Sequence, residues 1–166
     1  MNNEILFSER QSYRTRRNGI LLLALSVYFI FRSYNNIMSK DLSFLTFNFA
    51  GIILLILALF FMFLRLDTEI REDGIYYQLF PFHFKMRKIA FDDIEKVYVR
   101  KYNPLMEYGG WGIRLGLFGK GWAINISGNK GIQIEFKDSK KRKFLLGTQK
   151  PEEVEAVLES IKLSIT

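Results

Sequence analysis

The chain has 166 residues, a net charge of +7, no cysteine and a single histidine. The missing cysteines exclude disulfides, thiolate metal sites and cysteine nucleophiles, and a lone histidine excludes a His-clustered zinc site. The length accommodates one small domain beside an apolar segment, and the mean hydropathy near zero averages two unlike parts that meet near Arg65.

Met1 to Arg17 is polar, with Arg10, Arg14, Arg16 and Arg17 crowding toward the first apolar run. Residues 1–17 read as a cytoplasmic N-terminal segment. From Asn18 to Tyr34 the chain is apolar enough to read as a first membrane span, with Arg32 able to snorkel and Tyr28 and Tyr34 suited to an interface. A signal peptide is the weaker reading of this run, because bulky aromatics follow where a peptidase needs small residues. Phe44 to Leu64 contains no charge and reads as a second span, since about 20 apolar residues cross a bilayer. With Asn35 to Ser43 as the connection, 18–64 becomes a transmembrane hairpin (about 18–34 and 44–64). The flanking arginines then place both termini in the cytoplasm, making a multi-pass protein of the bacterial inner (cytoplasmic) membrane.

After Arg65 the period of the apolar residues changes to two. LDTEI, the turn Glu72-Asp73-Gly74 and IYYQLF predict a hairpin, because Asp-Gly supplies the backbone a tight turn needs. PFHF predicts a turn, KMRKIAF a third strand, and IEKVYVRKY a fourth with Val97 and Val99 opposite Tyr98 and Arg100. A Gly-rich section, NPLMEYGGWGIRLGLFGKG, follows. WAINIS, IQIEFK and RKFLLGT then read as a three-strand meander with turns at Gly128 to Gly131 and Asp138 to Lys140. Pro151 opens a helix whose Val154, Val157, Leu158 and Ile161 form one apolar stripe. Seven strands and a closing helix predict a small open barrel plugged at one end.

That order resembles the pleckstrin-homology (PH) superfold. Two N-terminal spans before such a domain resemble bacterial membrane proteins with PH-like domains, and EYGGWGIR at Glu107 to Arg114, GWAINISGNKGIQIEF at Gly121 to Phe136 and GTQKPEE at Gly147 to Glu153 look like that group's recurring signature. The resemblance implies a two-helix transmembrane hairpin plus a PH-like domain over 66–163, a seven-stranded antiparallel open barrel capped by a C-terminal helix. PH domains that bind phosphoinositides carry clustered Lys and Arg at the first hairpin turn. Here that turn is Glu72-Asp73-Gly74, so inositol-phosphate binding there is not expected.

No catalytic constellation is found. Gly110-Trp111-Gly112 and Gly119-Lys120 lack the spacing of phosphate-binding loops, so their glycines read as turns and close backbone packing. His83 reads as a loop residue, Asp92 and Asp93 as a turn, and Asn125-Ile126-Ser127 as a chance sequon. The expectation is a non-enzyme with no cofactor and no metal. Two surfaces remain. The loop Asn103 to Gly121 offers Leu105, Met106, Tyr108, Trp111, Arg114, Leu117 and Phe118 for protein binding, unless Trp111 and Trp122 pack inward. Lys85, Arg87 and Lys88 beside the Phe80 to Phe84 turn, and Thr148, Gln149 and Lys150 at the last helix's entrance, offer contacts to a lipid headgroup or another anion. The preferred reading is a membrane-anchored module that binds a protein of the membrane, with a role in assembly or regulation. The alternative is binding of anionic lipid headgroups. The basic charge is assigned to the membrane, with no nucleic-acid partner.

Overall fold

The computed structural model describes residues 4–37, 43–138 and 142–165. It is a mixed α/β fold of two sheets and, among the described residues, four helices. The chain divides into two compact units, residues 12–64 and residues 1–11 with 65–166.

The first unit is a pair of packed helices, α1 (Tyr13–Ile37) and α2 (Ser43–Phe63). Their seam is built from small residues. Gly19, Ser26 and Ser33 are buried at intervals of seven on α1, as are Gly51 and Ala58 on α2. A Cβ on Gly19 would lie 2.7 Å from Met62 Cγ, and one on Gly51 would lie 2.9 Å from Ile30 Cγ1. Ser26 Oγ donates to the Gly51 carbonyl at 3.1 Å. Close approach of two backbones leaves little room for large side chains between them, so those point outward: Phe31 is 64% exposed and Phe49 70%.

The two membrane spans are corrected: among the described residues, no helix is long and apolar enough to cross a membrane. In α1, exposed Arg17 and Arg32 bracket only about 22 Å of helix. The transmembrane hairpin, the multi-pass inner-membrane placement with both termini cytoplasmic, and the integral-membrane partnership fall with the spans. Most of the expected connection, Asn35 to Ser43, lies outside the described residues.

The second unit begins with a strand that the sequence reading missed. β1 (Ile5–Gln11), placed in a polar lead, pairs antiparallel with β2 (Arg65–Arg71), so the helical pair lies in the connection between two neighbouring strands. The Asp-Gly hairpin is present: β2 pairs with β3 (Gly74–Phe80) in register Arg71↔Gly74, and Gly74 has φ 153°. β4 (Arg87–Ala90) completes a sheet of order β1-β2-β3-β4.

The second sheet contains β5 (Ile94–Lys101), β6 (Gly112–Leu115), β7 (Trp122–Asn125), β8 (Lys130–Phe136) and β9 (Lys143–Thr148), in order β5-β8-β9-β7-β6. Two edges of β8 are taken by β5 and β9, so β7 reaches the sheet only through β9, to which it is parallel with Ala123 opposite Leu145. The expected meander is therefore corrected. The PH-like assignment and its seven-stranded antiparallel barrel are corrected too, because the described residues form nine strands in two separate sheets, one of their strand pairs is parallel, and β1 and β6 have no place in the expected order.

The core of this unit is aliphatic, with Leu66, Ile70, Ile75, Leu79, Ile132, Ile134, Leu145 and Leu146 fully buried. α4 (Pro151–Ile165) lies on it through Val154, Leu158 and Ile161, all buried, and packs against β1, β5 and β8.

Candidate functional site

The Asn103 to Gly121 section folds around one short helix, α3 (Pro104–Tyr108), and the sequence specifies both its ends. Asn103 Oδ1 accepts from the N–H groups of Leu105 and Met106, both at 3.1 Å, and Pro104 occupies the first turn, where a missing N–H costs nothing. Glu107 Oε1 in turn accepts from the Asn103 N–H at 2.8 Å. Gly109 closes the helix in the left-handed region, with φ 67°.

Beneath α3 lies a polar lattice. Arg100 meets Glu107 at 2.9 Å, donates to the Tyr108 hydroxyl at 3.2 Å and reaches across the sheet to Gln133 Oε1 at 2.9 Å. Burial opposes ionisation of Glu107, but Arg100 and the Asn103 N–H outweigh it and hold the carboxyl below its ordinary value. Tyr108 is 2% exposed and joins Tyr102, Ala123 and Leu145 in a core cluster. Burial pushes the Tyr102 hydroxyl up to about 12, against the opposing hydrogen bond that it accepts from Asn125 Nδ2 at 2.8 Å. Asn125 Oδ1 in turn accepts from the Gly112 N–H at 3.0 Å, fixing the start of β6.

Above this lattice the side chains are apolar and outward. Leu105 is 62% exposed and Met106 72%. α3 packs against a single 3-10 turn, Leu117–Gly119, whose Leu117 is exposed; the Phe118 side chain lies outside the described residues. Trp111 donates its indole N–H to the Gly128 carbonyl at 3.0 Å, and Arg114, exposed, donates to the Trp111 carbonyl at 3.0 Å. Neither tryptophan is buried, so the alternative in which both pack inward does not hold. Leu105, Met106 and Leu117 therefore form an outer layer, whereas Tyr108 belongs to the core. Exposed Leu115 and Trp122, cross-strand partners on β6 and β7, are further apolar residues that the sequence reading left out of the site. Period-two spacing of Ile113 and Leu115 between glycines was the available signal.

The other candidates separate. Lys85, Arg87 and Lys88 are all exposed near Phe82 and Phe84, which are 54% and 81% exposed. Lys88 is already committed: its ammonium lies 2.5 Å from Asp73 Oδ2, which raises its pKa. At the entrance of α4 the group received is the chain's own carboxylate. Glu9 of β1 accepts from Thr148 Oγ1 at 2.6 Å and from the Gln149 N–H at 2.8 Å, while Lys150 pairs with Glu153 at 2.8 Å. His83, in the β3–β4 turn, is buried and accepts at Nδ1 from the Leu79 N–H at 3.3 Å. Among the described residues, no group of three or more His, Asp or Glu side chains could hold a metal ion.

No family model, no curated protein and no solved structure matches this chain.

Proposed function

We propose that the sheet unit is a non-catalytic interaction module that docks a protein partner through the outer face of α3. The observation that carries this reading is the pairing of Leu105 and Met106, both mostly exposed, with a helix whose caps and Arg100–Glu107 ion pair hold it in place. An apolar pair presented on a fixed support loses little conformational entropy on docking. Full burial of a Leu or Met side chain contributes about 1.5–3 kcal/mol each, so Leu105→Ser with Met106→Ser weakens docking by roughly 2–4 kcal/mol. Leu117, Trp111 and Arg114 supply the rim.

A photocrosslinking residue at position 106, introduced into the full chain in its native cells, tests the reading against the same residue at exposed position 155. One adduct specific to position 106 and lost on Leu105→Ser supports it. The same adducts from both positions, or an adduct indifferent to Leu105→Ser, refutes it.

A second reading rests on the β3–β4 turn. Phe82 and Phe84 stand out from it beside Lys85 and Arg87, the combination that lets aromatics enter a lipid interface while cations meet headgroup phosphates. Lys85→Gln and Arg87→Gln should each weaken binding to anionic vesicles by about 1 kcal/mol at low salt, and Lys88→Gln by less, since Asp73 already neutralises it. Vesicle binding that falls equally with all three substitutions refutes this assignment.

A further inference from the structure

Each sheet ends in a short four-residue edge strand, β4 in one and β6 in the other, and a cavity of about 420 Å³ opens between them. That volume falls in the range of small-molecule sites, about 300–1,000 Å³. Its walls are apolar and aromatic, with Ile89, Ile113, Ile124, Trp122, Phe136 and Phe144 among them. Tyr77 of β3 closes one side, its ring 5.1 Å from Phe144 and 5.8 Å from His83.

The charges that line this cavity are all of one sign: Arg87, Arg142 and Lys143, with no carboxylate among the lining residues. Arg142 is paired with Asp138, and Lys143 lies 3.2 Å from Glu135. The Arg87 guanidinium has neither an ion pair nor a hydrogen bond among the described residues. Close to it, His83 accepts a backbone hydrogen bond at Nδ1, which places the proton of its neutral ring on Nε2 and makes that nitrogen a donor. Burial, and then the nearby Arg87 charge, hold the ring toward its neutral form. A cationic ligand would be repelled here. An uncharged apolar ligand would strip water from Arg87 and return no partner for it.

We propose that this cavity binds a small organic anion, with its carboxylate or phosphate on Arg87 and His83 and its apolar body among the rings of Trp122, Phe136 and Phe144. Arg87 can form two parallel hydrogen bonds to such a group, the strongest polar contact available to it. The site uses neither Leu105 nor Met106, so it stands apart from the docking face. It shares Arg87 with the lipid reading but not Phe84 or Lys85.

Isothermal titration calorimetry of the full chain with 2-naphthoate, decanoate and the uncharged 2-naphthylmethanol tests the site. One equivalent of 2-naphthoate or decanoate should bind, at least tenfold more tightly than 2-naphthylmethanol, the difference expected from one hydrogen-bonded charge. Arg87→Gln should abolish that preference without changing the melting temperature. Phe84→Ser with Lys85→Gln should leave naphthoate binding intact while lowering binding to phosphatidylglycerol vesicles. Equal binding of charged and uncharged probes, or a preference that survives Arg87→Gln, overturns the proposal. So does a loss of naphthoate binding on Phe84→Ser with Lys85→Gln, which would move the anion onto the turn.

Discussion

Glu9 gives the most direct test of how the sheet unit is assembled. The residue is 6% exposed, and its carboxylate accepts two hydrogen bonds, from Thr148 Oγ1 and from the Gln149 N–H, just ahead of α4. A hydrogen bond to a charged group contributes about 1.5–3 kcal/mol, so Glu9→Gln, which keeps one acceptor oxygen and the shape, should cost roughly that much. Glu9→Ala removes both acceptors and should cost about 3–5 kcal/mol. Urea unfolding followed by tryptophan fluorescence measures both, because Trp111 and Trp122 lie within the unit. Glu9→Ala also empties an anion position supported by a hydroxyl, a backbone N–H and the start of a helix. Sulfate at about ten times its dissociation constant should then restore about 1.4 kcal/mol to the alanine variant beyond its general effect on the wild type. Losses below about 0.5 kcal/mol for both variants, or equal sulfate effects on variant and wild type, would refute the reasoning.

Three further outcomes are expected. Gln11 pairs with Leu66, so joining residue 11 to residue 65 through a two- to four-residue turn should give a cooperatively folding protein without residues 12–64, whereas 65–166 alone should melt lower for want of β1; equal melting of the two would show that β1 adds nothing. Tyr102→Phe strands the Asn125 amide hydrogen in the core and should cost about 1–3 kcal/mol, and a spectrophotometric titration should lose one tyrosine ionising near 12. The His83 ring should titrate below its ordinary value, and Arg87→Gln should raise its midpoint. Because the folded state binds that proton less tightly than the unfolded chain, His83 contributes stability that is present above its unfolded pKa of about 6.5 and lost as pH falls from there through the folded pKa. Melting temperatures of His83→Gln and wild type across that window check the sign.

The elements readable from sequence are those whose signals are local. The Asp73-Gly74 turn specifies the β2–β3 hairpin by itself, because Gly74 must accept φ 153° with Ile89 O only 2.3 Å from where a Cβ would stand. Pro151 and the spacing of Val154, Leu158 and Ile161 specify α4 in the same way. β1 is hidden for the opposite reason. Its inward residues are Phe7, Glu9 and Gln11, two of them polar, so the alternation carries almost no apolar signal. Their partners lie far along the chain: Gln11 Nε2 donates to the Gly147 carbonyl at 2.7 Å, as Glu9 meets Thr148. The parallel pairing of β7 with β9 likewise has no local signature. Within 103–121 the sequence could not rank the residues, since Leu105, Met106 and Tyr108 lie within one turn and it is the packing of Tyr108 against Tyr102, Ala123 and Leu145, with its contact to Arg100, that turns it inward.

The membrane reading rested on the length and apolarity of Asn18 to Tyr34 and Phe44 to Leu64, and among the described residues no helix is long and apolar enough to cross a membrane. The helical unit places small residues in the seam and large ones outside, a pattern carried by Gly19, Ser26 and Ser33 at every seventh position.

The four sheet edges explain why the candidate surfaces lie where they do. An unpaired edge exposes backbone donors and acceptors and must be covered, kept short or charged. α4 packs against β1 and β5, one edge of each sheet. The remaining edges, β4 and β6, are both four residues long and both carry an exposed arginine, Arg87 and Arg114. Shortness and charge keep such edges from pairing with other chains, but they also leave the space between the sheets open at that side. An arginine at the mouth of an open aromatic cavity is thus a consequence of edge protection and, by the same geometry, the feature that selects an anion.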